Sequence, residues 1–285
     1  MSEELLVNVT PQETRVAVVE NGGLQELHIE RSRSIVANIY KGKVVRVLPG
    51  MQAAFVDAGL DRTAFLHAAD MVPHRAPVPN ASGDADHDEV AVQSAAPPRP
   101  DISELVSEGQ EIVVQVAKEP IGSKGARLTT QLSIPSRYLV LLPGSDHRGI
   151  SQRIQDMDER DRLLQALDTA LEGQPMQAGF IVRTAAESQY SLNFEADIEF
   201  LHRAWQQIER KIASVRAGEL IHADLPLSLR AIRDLARDDV EKIRVDSRET
   251  YARMRQFAVD LMPQMADCIQ AYPGVRPIFD LYSVE

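Results

Sequence analysis

Apolar and polar residues alternate in short runs along the first half of the chain. Leu5-Leu6-Val7-Asn8-Val9, Arg15-Val16-Ala17-Val18-Val19 and residues 24–30 read as three strands. Successive strand side chains point to opposite faces, and β-branched residues pack well on the pleated surface. Pro11 separates the first two runs, and Asn21-Gly22-Gly23 marks a tight hairpin, because Asn and Gly tolerate the positive φ such a turn needs. The pattern continues over 35–47, 52–57 and 63–66, with Gly50, Gly59 and Asp61 at the turns. It resumes over 111–116, 127–130 and 138–142.

The period then changes. Ile154, Met157, Leu163, Leu164, Leu167 and Leu171 recur at helical spacing and stop at Gly173. A strand over 179–183 follows. Ile198, Leu201, Trp205, Ile208 and Ile212 step by three and four, a single amphipathic stripe that makes Trp205 a core anchor first. Two more helices are expected around 227–240 and 248–270, with a short strand, Ile243-Arg244-Val245, between them. A strand-rich front and a helix-rich back predict an α+β, multidomain protein.

Residues 72–100 break the pattern. They hold six of the chain's 16 prolines and the acidic run Asp84-Ala85-Asp86-His87-Asp88-Glu89. Such a segment cannot bury a core and reads as a flexible insertion, with His74 and His87 as loop residues rather than metal ligands. Composition adds exclusions. A formal charge of −11 rules out coating nucleic acid by bulk positive charge. The lone Cys268, read as a helix thiol, permits neither an internal disulfide nor a multi-cysteine metal site. The acidic start and the lack of a long apolar run predict a cytoplasmic protein without a membrane span.

One stretch departs from the acidic whole. Residues 31–62 carry six Lys/Arg (31, 33, 41, 43, 46, 62) against Asp57 and Asp61, a local +4. Phe55 and Phe65 lie on neighbouring strands beside it. Small OB barrels stack single-stranded bases on surface aromatics within a basic groove. Two phenylalanines filling a barrel core would give the same pattern, and the spacing does not separate the readings. Glu26, His28 and Glu30 alternate on one strand and read as a solvated face rather than a metal site. Asp234, Asp238 and Asp239 read as a helix surface partnered by Arg237.

Longer motifs carry a resemblance. Ala37-Asn38-Ile39-Tyr40-Lys41-Gly42, Gln52-Ala53-Ala54-Phe55-Val56-Asp57, Lys124-Gly125-Ala126-Arg127-Leu128-Thr129-Thr130, Arg137-Tyr138-Leu139-Val140 and Ile181-Val182-Arg183-Thr184-Ala185 occur in that order. Together they resemble the ribonuclease E/G family, and Glu4-Leu5-Leu6-Val7-Asn8-Val9-Thr10 and Pro277-Ile278-Phe279-Asp280 are similar to its G branch. The resemblance implies a ribonuclease-H-like subdomain (1–34 and 229–285). Into it are inserted an S1-type OB β-barrel (35–131) and an α/β 5′-sensor subdomain (132–228).

It further implies that Phe55, Phe65 and Lys124 hold single-stranded RNA. Arg183 and Thr184 would take a 5′-monophosphate, with contacts from Val140 and from Ser136, which stands where the E branch has glycine. A backbone N–H at Ser136 would still serve. The implied parent is an endoribonuclease of rRNA maturation and mRNA decay, acting as a homodimer or higher oligomer. Its Mg²⁺-dependent, DNase-I-like cutting domain and its shared zinc link would lie outside this chain, which alone would be inactive. The other open reading is a non-catalytic RNA-binding adaptor.

Overall fold

The computed structural model describes residues 3–71, 100–174, 178–189, 192, 194–236 and 240–284. All but the last residue of the 72–100 insertion therefore lies outside the described residues. The described chain divides into two units: residues up to Ser34 with those from Leu225 onward, and Ile35–Asp224.

The chain starts with an antiparallel meander, β1 (Glu3–Val9), β2 (Thr14–Glu20) and β3 (Gly23–Glu30). Asn21 at φ 49° and Gly22 at φ 83° form the two-residue turn between paired Glu20 and Gly23. That is the hairpin chemistry expected of Asn-Gly.

A barrel follows, from β4 (Ile39–Leu48), β5 (Ala53–Asp57), β6 (Ala64–His67), α1 (Ile102–Leu105), β7 (Glu111–Lys118) and β8 (Arg127–Thr129). The strands run in the order β4-β5-β6-β8-β7, and β7 pairs back onto β4 to close a five-stranded, OB-type barrel. Closure leaves no free edge. Tyr40, Val44, Val56, Leu66, Val114 and Leu128 fill the interior, and Ile102 of α1 joins them. β4 begins at Ile39, later than the expected 35, because Ala37 sits at φ 67°. Gln52 secures the segment before β7: its amide donates to the Asp101 carboxylate at 2.7 Å and accepts the Ile102 N–H at 3.1 Å.

A second sheet contains β9 (Ile134–Pro135), β10 (Leu139–Leu142), β11 (Arg148–Ile150) and β12 (Gly179–Val182), in the order β11-β12-β10-β9. All four β10 residues are buried. Two helices, α2 (Met157–Leu171) and α3 (Phe194–Ser214), bury Leu163, Leu167, Ile198, Leu201 and Ile208. Met157, in the first turn of α2, is 67% exposed, and Trp205 is half-buried. The α3 stripe instead centres on Phe194, Ile198, Leu201, Ala204 and Ile208. From there β13 (Glu219–His222) returns to pair with β4.

Back in the first unit, α4 (Leu227–Arg230) runs into one π-helical turn, Ala231–Leu235. Next come β14 (Val240–Val245), α5 (Arg248–Leu261), β15 (Ile269–Ala271) and α6 (Ile278–Leu281). The sheet order is β15-β14-β1-β2-β3, with β14 parallel to both β1 and β15. An antiparallel meander is thus continued by parallel strands. Central β1 is covered on both faces, so Leu5, Leu6 and Val7 are all 0% exposed.

Several expectations need correction here. The helix expected over 227–240 stops at Leu235, and the following strand starts at Val240, ahead of Ile243. The helix expected over 248–270 stops at Leu261. Pro263 explains this: it lacks an N–H, its ring clashes with the carbonyl four residues back, and it pushes Met262 out of helical geometry, to φ −138°. Half-buried Cys268 therefore ends a 3-10 segment instead of riding on a helix. Asp234 pairs with buried Arg233 (2.8 and 2.7 Å), and its expected partner Arg237 lies with Asp238 and Asp239 outside the described residues. Glu30 leaves the supposed solvated face to bind Arg230 at 2.8 Å and the Leu227 N–H at 3.1 Å.

Candidate nucleic-acid interface

The two phenylalanines lie on the outside of the barrel. Ala54, Val56, Ala64 and Leu66 are each 0% exposed and point inward. A strand has a two-residue side-chain period, so Phe55 and Phe65 between them point outward. Both are half-buried. They are direct cross-strand partners, with ring centroids 6.2 Å apart in an edge-to-face contact. That is a favoured aromatic arrangement, so the pair holds its shape before any base arrives. His67 extends the aromatic row two residues along β6, its ring 6.4 Å from Phe65. Its Nδ1 accepts the Ala69 N–H at 3.0 Å, placing the proton of a neutral ring on Nε2.

Cations bracket this row. In register, exposed Arg46 of β4 faces Phe55, and exposed Arg127 of β8 faces Phe65. The sheet thus presents Arg46, Phe55, Phe65 and Arg127 side by side across four strands. Asp70 fixes Arg127 with a two-pronged pair (2.8 and 3.0 Å), which also pushes the guanidinium pKa up.

Exposed Lys124 sits in the β7–β8 loop, where it bridges back to Ile121. The loop lies against the start of β6: Arg62 Nη1 donates to the Gly122 carbonyl at 2.7 Å, and Phe65 N–H to Ala126 at 2.8 Å. A Cβ at Gly125 would stand 2.1 Å from the Thr63 carbonyl oxygen. Gly125→Ala is therefore expected to cost about 1–3 kcal/mol by overpacking. It should also displace Lys124; urea denaturation and RNA affinity together check this.

The other predicted group lies on the second sheet. Arg183 directly follows β12, and its Nη1 donates to the carbonyls of Ser136 and of Arg137, the latter at 3.1 Å. Thr184 follows it, half-buried, as the first residue of a 3-10 turn. Val140 sits mid-β10 between Ile181 and Pro135 with its side chain buried, so only its backbone can serve a ligand. Ser136 differs from expectation. It is 1% exposed, and its backbone N–H goes to the Leu139 carbonyl at 2.8 Å. Its hydroxyl lies 2.6 Å from Asp197 Oδ2 and 3.0 Å from the Leu139 carbonyl.

A family model described as the ribonuclease E/G family matches residues 133–285. The chain belongs to the ribonuclease E/G family. It is 48% identical over its whole length to ribonuclease G of Salmonella typhimurium and 46% identical over 99% of its length to ribonuclease G of Haemophilus influenzae. Ribonuclease E of Escherichia coli is 36% identical over 99% of the chain. The chain spans 56% and 55% of those two ribonuclease G relatives and 26% of that ribonuclease E.

Within this family member, sequence reasoning did not assign Arg46, His67, Arg127 or Asp197. His67 was open to it, because it shares Phe65's strand and parity; Arg46 and Arg127 lie on other strands, and only the barrel's register sets them beside the rings. Asp197 gave no such signal, because a single acid on an amphipathic helix looks like any solvated position. Burial pushes its carboxyl pKa up, against the lowering effect of bonds from Ser136, Tyr138 and Leu139.

Proposed function

We propose that this chain grips single-stranded RNA and senses its 5′-monophosphate within a bacterial endoribonuclease acting in rRNA maturation and mRNA decay. The reading rests above all on the outward Phe55–Phe65 pair set between Arg46 and Arg127. Bases stack on the rings with little sequence preference, while Lys124 and the arginines meet the phosphates. Duplex is excluded because paired bases do not offer their faces.

Arg183 and Thr184 take the terminal phosphate in this reading. A guanidinium has five N–H donors in a rigid fork, and Nη1 accounts for two. The phosphate would be met by the guanidinium, by the Thr184 hydroxyl and by the Val140 backbone. Ser136 contributes through its carbonyl, which seats Arg183, rather than through its own N–H.

Among the described residues, no three His, Cys, Asp or Glu side chains gather as a metal site. The reading assigns the Mg²⁺-dependent cut, and the zinc link between subunits of a homo-oligomer, to the remainder of the parent protein. No helix among the described residues is long and apolar enough to cross a membrane, and the reading places the protein in the cytoplasm.

Fluorescence anisotropy with one labelled single-stranded RNA, bearing either a 5′-monophosphate or a 5′-hydroxyl, tests this. Tighter binding of the monophosphate form and weak binding of a duplex are expected, with no strand scission when Mg²⁺ is added. Equal affinity for both ends would sink the sensing half; a preference for duplex would sink the gripping half.

A further inference from the structure

The β9–β10 hairpin closes abnormally. Ser136 and Leu139 flank a two-residue loop, where the Leu139 N–H would ordinarily return to the Ser136 carbonyl. Only the reverse bond forms, from Ser136 N–H to the Leu139 carbonyl at 2.8 Å. The Leu139 N–H instead reaches Asp197 Oδ2 at 3.1 Å and Ser136 Oγ at 3.2 Å. Tyr138 N–H donates to the same Asp197 oxygen at 2.6 Å, and the Ser136 hydroxyl is within 2.6 Å of it. One carboxylate oxygen of Asp197, a residue 9% exposed in the first turn of α3, thus gathers three donors from the loop.

The consequence falls on Arg183. Because its usual donor is diverted, the Ser136 carbonyl accepts from Arg183 Nη1, which also reaches the Arg137 carbonyl. The Arg183 backbone N–H binds the Tyr138 carbonyl at 2.8 Å, so the same loop fixes the residue at both ends. We propose that Asp197 is a positioning residue for 5′-end recognition: it holds the 136–139 turn open and so aims the Arg183 guanidinium. This rests on the end-sensing reading above. Asp197 touches no RNA, and its effect passes wholly through the turn and Arg183.

The test uses the full chain and a single-stranded RNA with a 5′-monophosphate or a 5′-hydroxyl, in wild type, Asp197→Ala, Asp197→Asn and Arg183→Ala. Asp197→Ala removes the acceptor and is expected to lower the monophosphate preference roughly tenfold, about one charge-assisted hydrogen bond. Asp197→Asn keeps the shape and one oxygen but not the charge. Neutral bonds are about half as strong, so a loss of roughly threefold is expected. Affinity for the 5′-hydroxyl RNA should stay at the wild-type value in both. Melting temperature provides the control a purely structural role would fail. Burial already disfavours the charged carboxyl, so Asp197→Asn should melt no lower than wild type.

Each alternative result decides the matter. If Arg183→Ala abolishes the preference while both Asp197 variants keep it, the inference is overturned and the sensing reading stands. Equal weakening of both RNAs together with a lowered melting temperature would make Asp197 structural only, which also overturns it. Should Asp197→Ala fail to fold, an unchanged preference in Asp197→Asn is enough to reject it. A wild type that never distinguishes the two ends removes the reading and the inference together.

Discussion

Phe55→Ala and Phe65→Ala are each expected to weaken single-stranded RNA binding by roughly 5- to 150-fold, about 1–3 kcal/mol per stacked base. The rings are half-buried on the outer wall, so losing one opens no interior cavity. Ala54, Val56, Ala64 and Leu66 still fill the barrel. Stability should fall much less than affinity, a contrast a core phenylalanine would not show, since core Phe→Ala costs about 3–5 kcal/mol. The rings touch at 6.2 Å, so the two losses should not add. Anisotropy titrations with urea denaturation of each variant check this. Unchanged affinity with collapsed stability would return both residues to a packing role.

The second large effect belongs to Arg183. Arg183→Ala should erase the preference for 5′-monophosphate over 5′-hydroxyl RNA. A charge-assisted contact of about 1.5–3 kcal/mol makes that roughly 10- to 100-fold. Arg183→Lys should restore only part of it, because a lysine supplies charge without the planar fork that docks on two carbonyls and a phosphate at once. Raising salt should weaken both RNAs together, modestly for a protein making few phosphate contacts. The ratio of the two affinities is the quantity to follow: if wild type and Arg183→Ala share it, Arg183 does not read the terminus.

Much of this was legible in advance. Alternating apolar positions locate β4, β5, β6 and β7, and Asn21-Gly22 specifies its own hairpin, because the turn's φ values belong to those two residues. Ordered motifs point to the family and to Arg183 beside Thr184. Other features were written in the chain but masked by periodicity. Pro263 ends α5 at Leu261, although the apolar spacing runs on past it. β9, β11 and β15, two or three residues each, are too short to show any period.

The sequence by itself determined that Phe55 and Phe65 face away from Ala54, Val56, Ala64 and Leu66, because strand parity is a local property of the backbone. Only the tertiary structure decided which of those two faces is the outside. Closing β7 onto β4 turned the small aliphatic side inward and left the aromatic side to solvent and ligand. The same division holds at Arg183. Its place at a strand end is local, but its aim depends on Asp197 meeting a turn about 60 residues earlier in the chain. A buried carboxylate among converging N–H donors is a product of packing two distant segments, and no spacing within either one encodes it.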